Sequence, residues 1–231
     1  PRYVRIRRTA TPAALVDTAR EVAGSDDDAA VTRSLLGWGV VAGPFYLVVG
    51  IVLGATRPGF DFTHHALSLL TLGHLGWLQR VNFILTGVMV IAAGVGALRA
   101  IRSGRGLAIG ALIGIAGAAL ILSAFFLPDP SGATPTGSGV LHMLCGAIQF
   151  AAIVAAAVAY ALWSRSIGQR GRAQISIALG IGVLIGFLAG AALATQPAGI
   201  ALLWFAVVCE WIWLAVTSAQ IYQWSPHPLS T

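Results

Sequence analysis

Six apolar runs, each long enough to cross a bilayer, constrain this chain more than anything else in it. They fall at Leu35–Ala55, Arg80–Ala100, Gly106–Leu127, Val140–Trp163, Ile175–Thr195 and Ile200–Tyr222. A hydrocarbon core takes about 20 apolar residues per helix. Lipid offers the backbone no hydrogen-bond partners, so each run must satisfy its own N–H and C=O groups as a helix. The runs are continuous rather than alternating, which excludes a membrane barrel. Composition agrees: 57% hydrophobic and 10% charged residues, with a mean hydropathy of +0.83, against roughly 25% charged in soluble domains. The expected fold class is all-α, a polytopic membrane protein built as a six-transmembrane-helix bundle.

Arginine sets the direction of the spans. All 14 basic residues are arginine. Twelve fall on one side: Arg2, Arg5, Arg7, Arg8, Arg20 and Arg33 in the tail, Arg99, Arg102 and Arg105 after span two, and Arg165, Arg170 and Arg172 after span four. Only Arg57 and Arg80 lie on the other. The positive-inside rule then puts both termini in the cytoplasm. In a soluble protein a net charge of +6 and a pI near 10.4 would suggest nucleic acid. Here the arginines flank spans, and no nucleic-acid partner is expected.

Three regions follow: a cytoplasmic tail over 1–34, a transmembrane domain over 35–222 and a short cytoplasmic tail over 223–231. Within the first, TPAALVDTAREVA reads as a short helix with Pro12 at its first position, broken by SDDDAA. RYVRIRR is either solvated or an anchor to anionic lipid. Cys145 and Cys209 lie inside apolar runs and read as small buried hydrophobes. Glycines recur every four residues, at Gly106, Gly110 and Gly114, at Gly182, Gly186 and Gly190, and as the pairs Gly39/Gly43 and Gly50/Gly54. Such faces let helix backbones approach closely, within one bundle or between copies in a homo-oligomer.

Polar chemistry collects on the arginine-poor side. Topology brings Asp61, His64, His65, Ser68, Asn82, Ser123, Asp129 and His142 to that membrane face. THHALSLLTL is expected as a short helix ended by Gly73, with Asp61 or Thr63 capping it and His65 and Ser68 on one face. Span four carries His142, Cys145 and Gln149 on one stripe, and span six carries Glu210, Trp213, Thr217 and Gln220. At 1.5 Å per residue, Gln149 and Glu210 lie roughly 14 and roughly 15 Å deep, within reach of each other. Glu210 is the only acid inside a span, and such residues are costly and face protein or water.

Four readings fit this pattern. The polar groups form a network that ties the loop to spans three and four. They form an outer-leaflet pocket for a lipid headgroup, a small ligand or a partner. They hold zinc, through His64 or His65 with Asp129 and His142, for lipid hydrolysis. Or Glu210 serves a proton-coupled carrier. No HExxH or HxxxH spacing is present, and adjacent histidines on a helix point about 100° apart. No cofactor is therefore expected, zinc being the metal this donor set would suit.

HALSLLTLGHLGWLQRVNFILTGVMVIAAGVG resembles the DUF998 family of bacterial and archaeal membrane proteins, in which a Ser-Leu element and an aromatic segment precede an Asn and a Gly in span two. FFLPDP, the Thr/Gly/Pro-rich loop, His142 and Phe150 resemble that family's second pattern, with Asp129 and His142 at the recurring positions. The resemblance covers about Leu35 to Tyr222. SLL stands here where many members have Ser followed by an acid. The resemblance implies a six-span protein of unknown function in a prokaryotic plasma membrane. More distantly, the chain is similar to Frag1/DRAM/Sfk1-type proteins, which are associated with lipid regulation.

Overall fold

The structure is a computed structural model that describes residues 12–130 and 132–224, with side chains from Asp27 onward. Six helices account for most of it: α1 (Pro12–Thr56), α2 (Gly76–Ala100), α3 (Gly104–Ser123), α4 (Gly137–Ser166), α5 (Arg170–Ala192) and α6 (Pro197–Trp224). A 3₁₀ turn, Leu67–Thr71, lies between α1 and α2. Each of the six contains a stretch long and apolar enough to cross a membrane, and no strand occurs among the described residues.

Local chemistry explains where the helices begin. Ser103 and Thr136 occupy N-cap positions, their hydroxyls accepting from the amides of Gly106 and Gly139, which satisfies donors that the first turn leaves open. Pro197 opens α6, where its missing N–H costs nothing. Two expectations are corrected. α3 ends at Ser123 rather than Leu127, so FFLPDP belongs to the connecting loop, as the prolines require. SDDDAA does not break the first helix: α1 runs through it. Asp is only about 0.7 kcal/mol worse than Ala in a helix, and Asp28 is held by an ion pair to Arg99 of α2 at 2.9 Å. The RYVRIRR segment and the last seven residues lie outside the described residues.

The helices follow one another around a ring. Each packs on its neighbour in sequence, and α6 packs back on α1 to close the circle; α6 also touches α2 and α4. The core holds Leu36, Ile109, Ile113, Ile153, Tyr160 and Trp213, all nearly or wholly buried. Val48, Ile51, Leu184 and Leu188 are exposed, on the outward faces where lipid replaces water as solvent.

Most of the glycine faces are used within the chain, although of the expected α3 set only Gly110 meets α2 through its Cβ position: Gly106 meets Ile101 and Gly114 has open space there. A Cβ on Gly110 or Gly117 would strike the carbonyl of Gly94 or Gly87 on α2, so α2 and α3 meet backbone to backbone. Gly182, Gly186 and Gly190 receive Cys209, Ala206 and Leu203 of α6. Gly39 and Gly43 seat Ser218 and Trp211, and Gly50 and Gly54 seat Leu67 and the Phe60–Phe62 pair.

Candidate functional site

The loop after α1 closes on itself through Asp61. Its carboxylate Oδ1 accepts from the Thr63 hydroxyl at 2.7 Å and the Thr63 amide at 2.8 Å, and Oδ2 meets His64 Nδ1 at 2.9 Å. The Thr63 hydroxyl, the Thr63 amide and His64 together hold the Asp61 carboxyl well down, from the ordinary 3.8 to about 2. The Asp61 amide donates to His65 Nδ1 at 2.9 Å, and the His65 ring packs on Phe60 at 5.3 Å between centroids. Both polar faces of Asp61 are therefore spent on the loop.

This differs from the expected loop helix. Ala66 is extended, at φ −69° and ψ 148°, and the 3₁₀ turn begins after it without a side-chain cap. His65 precedes that turn, so His65 and Ser68 share no helical face. Asp61 caps the turn at Thr63–His64 instead of a helix. Ser68 enters through its carbonyl, which accepts from the Thr71 hydroxyl. Gly73 ends the segment as expected, with φ +81°.

A second knot joins α3 to α4. Asp129 receives the Thr136 amide at 3.0 Å and the Thr136 hydroxyl at 2.7 Å, and these two donors hold its carboxyl below the usual carboxylate range. Its carboxylate fills the space beside Gly139, at the N-terminus of α4, where negative charge is favoured. His142 Nδ1 is 2.8 Å from the Phe126 carbonyl and 3.3 Å from the Ser123 carbonyl. The nitrogen donates there and satisfies carbonyls that the end of α3 leaves open.

The interior holds a third set. Gln149 Nε2 donates to Glu210 Oε1 at 2.9 Å, as the depths predicted. Asn82 donates to the Tyr46 carbonyl at 3.1 Å and to Gln79 Oε1 at 3.2 Å, and the Thr86 hydroxyl donates to Asn82 Oδ1. Asn82 is thus a strut between α1 and α2, apart from the loop histidines. Among the described residues, no three His, Cys, Asp or Glu side chains are grouped to hold a metal ion. His64, His65, Asp129 and His142 do not assemble the zinc site they suggested, because two belong to the Asp61 loop, one holds Thr136 at the start of α4 and one seals the end of α3.

Sequence reasoning missed the groups that shape the arginine-poor surface. Arg57 Nη1 donates to the Leu69 carbonyl at 2.8 Å and, with Phe60, His65, Leu72 and Pro130, lines a cavity of about 340 Å³. Beside it, Ile51, Phe62, Ala201 and Trp204 line an almost wholly apolar groove of about 760 Å³ between α1 and α6. Phe60 and Phe62 meet edge to face at 5.2 Å, and Phe62 packs on Trp204 at 5.9 Å, so of two touching rings one lines the Arg57 cavity and the other the apolar groove. The available signal was RPGFDF, a cation and two aromatics within six residues.

With span order, loop and FFLPDP segment in place, comparison with known families is decisive. The model of the family of proteins of unknown function DUF998 matches residues 40–220. The chain belongs to the DUF998 family. The match begins within α1 and ends within α6, so all six membrane helices of this DUF998 protein contribute to it, together with both polar knots. No curated protein and no solved structure matches the chain.

Proposed function

We propose that this multi-pass membrane protein binds an anionic lipid at its arginine-poor end, in the outer leaflet of a prokaryotic plasma membrane, with the arginine-rich end in the cytoplasm. One observation carries the reading: a cavity lined by Arg57 and Phe60 adjoins an apolar groove lined by Phe62, the two rings being in edge-to-face contact. A lipid has that polarity, a charged head on a greasy chain. Acyl chains gain little by leaving other lipid for the groove, so the headgroup must supply the selectivity. A guanidinium matches phosphate with paired N–H donors. Arg57 spends one nitrogen on the Leu69 carbonyl, which fixes the fork and lowers the ordering cost of binding.

Native mass spectrometry tests this on protein extracted in mild detergent and offered phosphatidylglycerol or phosphatidylcholine. Wild-type protein should retain phosphatidylglycerol preferentially. Arg57→Gln should lose that preference, and Trp204→Ala should weaken retention of both lipids. Equal retention of the two lipids by wild-type protein would sink the proposal.

A further inference from the structure

Glu210 has no role in the outer site, and its surroundings are unusual for a carboxyl group. It is 2% exposed and lies 13 residues into α6, which at 1.5 Å per residue is about 20 Å from that helix end. One oxygen, Oε1, accepts from Gln149 of α4. The other, Oε2, is buried and has no hydrogen-bond partner. No ion pair among the described residues involves Glu210; those present join His64 to Asp61 and Arg99 to Asp28.

The neighbours bring no compensating charge. α1 contributes Tyr46, whose ring packs on Trp211 at 5.0 Å and which stands within electrostatic reach of Glu210. α2 contributes the uncharged amides Gln79 and Asn82 around the Tyr46 backbone. α4 contributes the Gln149 amide, and α5 packs Gly182 and Gly186 on α6. The adjacent titratable residue on α6 itself is Cys209, buried as a free thiol. An isolated carboxylate in so dry a place is strongly disfavoured, and one carboxyl with one amide is far too few oxygen ligands for a metal cation. A proton neutralises the group with no further ligand.

We propose that Glu210 is a proton-binding site inside the membrane: its carboxyl carries a proton on Oε2 while Gln149 holds Oε1. Polar side chains continue along the same α6 stripe towards the arginine-rich end. Trp213 donates to Ser176 at 2.8 Å, and Gln220 accepts from Tyr160 at 2.7 Å. This site is independent of the lipid reading, and either can fail without the other.

Dicyclohexylcarbodiimide, a lipid-soluble reagent, tests the proposal on full-length protein in liposomes. Only the neutral acid adds to it. The acid proton goes to a carbodiimide nitrogen, the carboxyl oxygen bonds to the central carbon, and nothing leaves. At neutral pH, peptide mapping should find one adduct on Glu210, and Glu210→Gln should abolish it. Folded protein with no adduct on Glu210 would overturn the proposal. Infrared spectra give a readout that needs no variant, because the chain contains only two glutamates, Glu21 and Glu210. Labelling glutamate with carbon-13 should shift a carboxylic-acid C=O band at neutral pH, and a spectrum showing only carboxylate bands would also overturn it. Gln149→Leu should keep the adduct and move the band.

Discussion

Gln149 and Glu210 join helices that are not neighbours in the ring. Their 2.9 Å hydrogen bond, with the one from Tyr160 to Gln220 at 2.7 Å, ties α4 directly to α6 on the inner side of α5. The buried face of α5 is Ala173, Ser176, Gly180, Val183, Gly186 and Gly190, and these small residues let the longer side chains of α4 and α6 meet.

Breaking that bond from one side should cost more than removing both partners. Gln149→Leu leaves a second carboxyl oxygen of Glu210 unsatisfied, a loss of about 1–3 kcal/mol. Gln149→Leu with Glu210→Leu should recover part of it. Reversible unfolding in mixed detergent–SDS micelles measures both, and strictly additive losses would refute the coupling.

Substitution of Gly117 should force α2 and α3 apart. A Cβ there meets the Gly87 carbonyl and the Ile91 backbone, neither of which can turn aside. Gly117→Val should cost about 1–3 kcal/mol, as overpacking does. Gly114, with nothing near its Cβ position, should tolerate Ala under the same assay.

Loss of the His142 imidazole should loosen the α3–α4 connection while the bundle stays intact. His142→Ala strands the Phe126 and Ser123 carbonyls, for about 1–2 kcal/mol. Hydrogen exchange should rise over residues 123–136 and remain slow in α5. Uniform acceleration across all helices would mean that His142 supports the whole bundle.

Asp61 should keep its loop closed far into acid. Its carboxyl is held down to about 2, so the folded loop favours the charged form. That contribution is complete above the ordinary carboxylate range and is lost as pH falls through about 2. Hydrogen exchange of the Thr63 amide should therefore change little between neutral pH and pH of about 5, then speed up progressively as pH falls through the ordinary carboxylate value to about 2, once corrected for intrinsic rates. Asp61→Asn should raise it at every pH. An amide in wild-type protein that has lost all its protection already at the ordinary carboxylate value would contradict this arrangement.

Much of the fold was legible because its cause is local. Each span is apolar over its whole length, and a dehydrated backbone has no alternative to the helix. The Gln149–Glu210 contact was also legible, since depth follows from residue count once span ends are known. The Asp61–His65 loop was not. Its shape depends on an extended residue at Ala66 and on the His65 ring turning back to an amide, and neither leaves a periodic trace. That Arg57, Phe62 and Trp204 shape one surface was not legible for a related reason. Phe62 and Trp204 are 142 positions apart in the chain and meet only because α6 returns to α1.

From sequence alone came six helices, their even number, and hence a common end for the first and last. These follow from the bilayer's thickness and from the hydrogen bonds a backbone must make inside it. The tertiary structure alone decided the order of the helices around the ring, and with it the aromatic contact of Phe62 with Trp204 and the isolation of Glu210. Apolar helix surfaces pass as readily against lipid as against one another. Hydropathy therefore leaves the neighbours open, and the choice falls to glycine faces and buried side chains that fit in one arrangement.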